Sequence, residues 1–186
     1  ALTHARGARP QQGRNLAIAE WPTADGPADY VLFRGLTPLA VVEAKRRRKS
    51  ARGALGQAAR YSRGLAIAGD LEDPGGPWGA GPGGGYRVPF LFATNGRPFL
   101  REVLEESGIW FLDARRPTNH PRALEDWYTP EGLHQQLRLD IDAADRTLET
   151  LPIDELRHGE LSLRDYQATA IEAVESAIVA GRREIL

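Results

Sequence analysis

Apolar and polar positions alternate from Asn15, and the β-rich stretch "NLAIAEW" (15–21) predicts a strand. "PTADGP" is a turn, "ADYVLF" (28–33) a second strand, and "RGLT" a glycine-containing connection to a third, "PLAVVEAK" (38–45). The three predict an antiparallel meander. From Ser50 the period changes. Leu55, Ala58, Ala59, Ser62, Leu65 and Ala66 fall at helical spacing, predicting a helix that ends at Gly69, with Gly53 and Gly56 weakening its first turn. "DPGGPWGAGPGGG" (73–85) reads as a flexible loop. "RVPFLFATNGRPFL" (87–100) reads as a buried strand, an Asn-Gly turn and a second strand, and "GIWFLD" (108–113) as one more edge strand. A βββαβ order predicts a small α/β domain with a mixed sheet. Further on, Thr129-Pro130 opens a helix with proline at its first position. "LSLRDYQATAIEAVESAIVAGRREIL" (161–186) predicts an amphipathic helix and the beginning of a second domain.

Composition narrows the class. The chain has 186 residues, 41% of them hydrophobic and 26% charged, which suits a soluble domain with a piece of another. It has no cysteine, which excludes disulfides and thiolate metal sites. It has no methionine either, so it reads as a segment of a longer protein. No run of 18 apolar residues and no signal-peptide core occur, so the expectation is a cytoplasmic protein with no membrane association. His4, His120, His134 and His158 are scattered without ligand spacing, so no zinc site is expected. Charge is unevenly placed: residues 1–69 hold 12 Lys/Arg against four acids, whereas residues 70–186 hold 12 against 21. The basic first part suits a polyanionic partner.

Chemistry concentrates where the third strand ends. Glu43-Ala44-Lys45 opens a run of five basic residues, and Asp29 starts the strand before it. If the hairpin turns near Gly35 and Leu36, partner numbers sum to 71 or 72, and Asp29 faces residue 42 or 43. Directly opposed residues share a face, as do residues i and i+2, so Asp29, Glu43 and Lys45 can converge. Two hard carboxylates suit Mg²⁺ or Mn²⁺, with the Ala44 carbonyl as a third ligand. Lys45 would then orient or deprotonate a water, or stabilise developing charge. The ordinary alternative is a structural ion pair between Lys45 and the acids.

Asp29 with Glu43-Ala44-Lys45 resembles the PD-(D/E)xK nuclease motif, and Gln57 with Tyr61 in "QAARY" resembles the Q-x-x-x-Y signature of one branch of that superfamily. With "FLFATNG" and the terminal "RDYQATAIEAVESAIVAGRREIL", the chain resembles the endonuclease portion of type I restriction enzyme R (motor and restriction) subunits from about Asn15 to Leu186. The resemblance implies a restriction-endonuclease-like α/β core, a mixed central sheet flanked by helices, over 1–112. It further implies a helical connector over 113–160 and the start of a superfamily 2 motor over 161–186. It makes Asp29, Glu43 and Lys45 catalytic and Gln57 and Tyr61 supports of the site or contacts to DNA. Arg46, Arg47, Arg48, Lys49 and Arg60 are then phosphate contacts, as are Arg52 and Arg63. Arg164 and Gln167 lead into the motor. ATP would serve only the full-length protein, since no G-K-[ST] loop is present here. The implied partners are double-stranded DNA and the methyltransferase and specificity subunits. Many members carry an acid on a helix before the first strand. That helix is missing or truncated here, and Glu20, on a predicted strand, is not assigned its role. A repair or junction nuclease of the same superfamily, and a non-cutting DNA-binding or assembly module, are the competing readings.

Overall fold

A computed structural model describes residues 2–79, 85–139, 146, 157, 158 and 161–180. The chain divides into two compact units, Ala1–Arg138 and Leu139–Leu186.

The first unit is built on a six-stranded sheet in sequential order: β1 (Asn15–Trp21), β2 (Ala28–Arg34), β3 (Thr37–Ala44), β4 (Phe90–Thr94), β5 (Ile109–Asp113) and β6 (Arg122–Ala123). All neighbours are antiparallel except β3 and β4, which run parallel. A parallel pair needs a crossover, and α1 (Leu55–Arg63) lies within it. The expected meander is therefore present, as is the α/β class with a mixed sheet. The β2–β3 hairpin closes over Gly35 and Leu36, with Gly35 at φ 61, a positive value at the first loop position that glycine adopts without strain. Register sums of 72 (Tyr30 with Val42) and 71 (Phe33 with Pro38) both occur, because an irregularity between Leu32 and Phe33 shifts the pairing by one.

Alternation sorts the strands into two cores. Ile18, Val31, Val41, Leu91 and Ala93 face α1 and pack with Leu55, Ala58 and Tyr61. Ala40, Val42, Phe90, Phe92 and Phe111 face the other way and pack with Leu133 of α2 (Pro130–Arg138). Covered on both sides, β3 is buried from Pro38 through Glu43.

Three expectations are corrected. The first helix stops at Arg63 rather than reaching Gly69. A Cβ on Gly64 would lie 3.1 Å from the Ala24 nitrogen of the β1–β2 turn, and the Gly64 carbonyl accepts the Ala24 N–H at 2.9 Å. That bond turns the chain out of the helix. No strand follows Asn95-Gly96. The Asn95 side chain accepts the Arg97 N–H at 3.0 Å and donates to the Lys49 carbonyl at 2.8 Å, and β4 pairs instead with β5. β5 is not an edge strand, because β6 pairs along it. The first compact unit also includes β6 and α2.

In the second unit, Arg157–His158 (β7) and Leu161–Ser162 (β8) form a small antiparallel pair, followed by α3 (Asp165–Val179). Part of the expected 73–85 loop (80–84), most of the expected connector beyond residue 139, and the terminal 181–186 lie outside the described residues. No helix among the described residues is long and apolar enough to cross a membrane.

Phe92 is fully buried and touches the rings of Phe111, Trp127 and Tyr128. Phe92→Ala is expected to lower unfolding free energy by about 3–5 kcal/mol, read from urea denaturation. Leu104→Ala, at a side chain 48% exposed, should change it by no more than about 0.5 kcal/mol.

Candidate functional site

The parallel pair ends where β3 gives way to the basic run, and crevices at the carboxyl ends of parallel strands are the usual ligand sites of α/β sheets. Glu43 sits there at 1% exposure, on the face covered by α1. Its Oε1 accepts a hydrogen bond from the Lys45 ammonium in a close ion pair. Its Oε2 is buried and has no hydrogen-bond partner. A buried carboxylate oxygen left bare is costly, so this atom is suited to something that arrives later.

Asp29, half-buried, lies at the next position of the 72-sum register from Tyr30–Val42. Its Oδ2 accepts the Ala44 N–H at 2.7 Å, which swings the carboxylate onto β3. Burial pushes the Glu43 carboxyl above its ordinary value. Lys45 opposes that shift, while the charge of Asp29 and its direct side-chain contact reinforce it. The register thus brings the two acids together as expected, on one face with Lys45.

Lys45 is held from three directions. Its amide donates to the Thr94 carbonyl of β4 at 2.7 Å, and its ammonium donates to Glu43 and, at 2.8 Å, to Gln57 Oε1. Gln57 Nε2 in turn donates to the Tyr61 hydroxyl at 2.7 Å. The i,i+4 spacing on α1 thus delivers a hydrogen-bonded row of Tyr61, Gln57, Lys45 and Glu43. Tyr61 is also a core residue at 9% exposure, so it is both packing and bracing. An ammonium has three donors and two are used.

Arg46, Arg47, Arg48, Lys49 and Arg60 are exposed, and their side chains have no ion-pair partner among the described residues. Two other arginines are otherwise engaged. Arg52 pairs with Glu105 and lies over the Trp110 ring, while Arg63 donates to the Tyr86 hydroxyl at 2.7 Å and stacks on that ring at 4.3 Å. Thr94 was not singled out from sequence; its contribution is a carbonyl, which no residue pattern reveals. Glu20 is exposed, with φ 54 inside β1 between the pairs Ala19–Tyr30 and Trp21–Ala28. Arg164 and Gln167 stand in the second unit at the start of α3. There the Gln167 side chain accepts the Arg164 N–H at 3.0 Å, the backward half of a capping box.

No cluster of three or more His, Cys, Asp or Glu that could hold a metal occurs among the described residues. An ion at this point would rest on two carboxylates, backbone oxygen and water. The donor set is all hard oxygen, and the bare Glu43 Oε2 fits a small divalent cation.

Fold and site together define an α/β protein with a buried acid–lysine pair at the carboxyl end of its parallel strands, a second acid beside it, and a free basic run leaving it. Residues 1–137 match the family described as "Type I restriction enzyme EcoKI endonuclease subunit second domain". The chain belongs to that family. Along its whole length it aligns, 37% identical over 208 residues, with the type I restriction enzyme EcoKI endonuclease subunit of Escherichia coli strain K12. It spans 17% of that relative's length. No solved structure matches it significantly.

The folded chain holds the Glu43 proton more tightly than the unfolded chain does. Glu43 therefore contributes its stability below the ordinary carboxylate range and loses it as pH rises through the raised value. In EDTA, Glu43→Gln should gain on the wild type as pH rises from about 4 to about 8. A thermal-melt series in which the difference stays flat would contradict the assignment. Lys45→Ala removes the cation from a buried acid and should cost about 1–3 kcal/mol at neutral pH without metal.

Proposed function

We propose that this chain is the Mg²⁺-dependent endonuclease portion of a type I restriction-modification R subunit, with a restriction-endonuclease-like core. It hydrolyses phosphodiester bonds of unmodified foreign DNA after ATP-driven translocation by a motor that follows. The observation that carries the reading is Glu43, a fully buried carboxylate with one oxygen on Lys45 and the other bare. The ion pair with Lys45 occupies only one of the two oxygens. Family membership supports the restriction role, and the free charge of Arg46, Arg47, Arg48, Lys49 and Arg60 supports a duplex-DNA partner.

Asp29, Glu43 and the Ala44 carbonyl would hold Mg²⁺ or Mn²⁺. When bound, such an ion stabilises charge on a phosphate and acidifies a water. Lys45 has one N–H left over, which suits a phosphate oxygen or that water. Gln57 and Tyr61 keep the ammonium from rotating away, so its orientation costs nothing at the moment of reaction. The basic side chains supply affinity without reading sequence, so recognition falls to the specificity subunit, with the methyltransferase subunit as a further partner. Arg164 and Gln167 open the motor, and ATP serves the full-length protein in the cytoplasm. The expected divisions are nuclease, connector, and motor start at 161–186.

In the full-length protein, Lys45→Ala should lower cleavage by about 10²–10³ while ATPase and translocation continue, because the lost donor acts on transition-state charge. Cleavage, ATPase and Mn²⁺ binding are to be read on one folded preparation. Cleavage near the wild-type rate would reduce Lys45 to a structural partner and favour a non-cutting module.

A further inference from the structure

Four of the five consecutive cations, Arg46 to Lys49, sit in a turn on the surface beside the acid pair. A block of like charge repels itself and is ordinarily disordered. Here its backbone is fastened, from within and by one short stretch, Thr94 to Arg97, at and just beyond the end of β4. Thr94 accepts the Lys45 N–H at 2.7 Å. Arg97 Nε donates to the Arg47 carbonyl and Asn95 Nδ2 to the Lys49 carbonyl, both at 2.8 Å. The loop closes on itself through Lys49 N–H to the Arg46 carbonyl, also at 2.8 Å.

These bonds draw the loop's carbonyls inward, and its four cationic side chains are exposed. Asn95 is 5% exposed, and its Oδ1 accepts the Arg97 N–H, so the two donors are fixed relative to each other. The neighbouring acids are also accounted for. Glu106 pairs with Arg97 at 3.2 Å and Glu105 with Arg52, so neither neutralises the run.

We propose that Asn95 and Arg97 are positioning residues that hold the Arg46–Lys49 loop in one shape, its charges set to meet successive phosphates of a DNA strand at a fixed offset from Asp29 and Glu43. The inference rests on the nuclease reading above. Arg97 reaches the loop through its Nε on the Arg47 carbonyl, and its charge is paired with Glu106, so its part in the loop is positioning. Preorganisation of this kind appears as affinity, because a slack loop must be ordered again on each encounter.

The test uses the full-length protein and an unmodified DNA duplex without a recognition site. Arg97→Lys keeps the charge and loses the guanidinium that reaches the Arg47 carbonyl. It should bind about tenfold more weakly at moderate salt, and log K against log [salt] should flatten by about one phosphate contact. On a second duplex that carries a recognition site, with the specificity and methyltransferase subunits and ATP present, cleavage at saturating DNA should stay near the wild-type rate. Asn95→Ala should speed amide hydrogen exchange at Lys49 while leaving the amides of β4 and β5 protected. Arg97→Lys with wild-type affinity and slope, beside a wild type that binds with strong salt dependence, overturns the positioning role alone. A wild type that does not bind duplex DNA removes the nuclease reading and this one with it. Unchanged exchange at Lys49 in a folded Asn95→Ala protein overturns the clamp whatever the DNA result.

Discussion

An acid almost wholly withdrawn from water must be compensated, and the layout of the first unit follows from how Glu43 meets that demand. Desolvating a carboxylate costs several kcal/mol unless charge or hydrogen bonds answer it. Glu43 is withdrawn because it lies on β3, the strand with cores on both sides. Lys45 answers on one oxygen. For that ammonium to stay, something must stand behind it, and α1 arrives through the crossover between β3 and β4 with Gln57 and Tyr61 aimed at it. The same crossover makes the one parallel pair of the sheet and places Thr94 beside Lys45. A hairpin alone would bring Asp29 to Glu43, but not the brace.

Much of this was legible in the residue pattern, for identifiable reasons. Strand alternation and a glycine at the turn fixed the β2–β3 register to within one residue, and the bulge at Leu32–Phe33 accounts for both sums being observed. The i,i+4 spacing of Gln57 and Tyr61 pointed to a shared helix face, and hydrogen bonding bears that out. What misled was local chemistry with two solutions. Asn-Gly favours a hairpin turn, yet the Asn95 amide has stronger use tying down neighbouring loops. Leu65 and Ala66 continue the helical period, yet tertiary contact at Gly64 breaks the helix first. Leu65 is buried all the same, at 2% exposure, so the apolar signal was real and only its conformation was misread.

Charge was legible in amount but not in use. Counting bases identifies a cationic region, whereas distinguishing a free guanidinium from an occupied one requires knowing which residues fold against it. Arg63 and Arg60 are three positions apart on one helix, and one stacks on Tyr86 while the other has no partner among the described residues. The family match covers residues 1–137, and with them the sheet and the acid–lysine pair. It leaves open how a lineage distributes its surface cations, and that distribution sets which of them can meet a phosphate.

The amide of Gln57 gives the row beside Glu43 a polarity. An ammonium only donates, so Lys45 requires the amide oxygen on its side and leaves the amide nitrogen to donate to Tyr61. The phenol is thereby cast as an acceptor, and its own hydrogen must point out of the row. Turning the amide over would set its nitrogen against the ammonium, donor against donor. One amide therefore sets the direction of every bond in the row, and replacing Gln57 by a residue without both an acceptor and a donor would break it at two places.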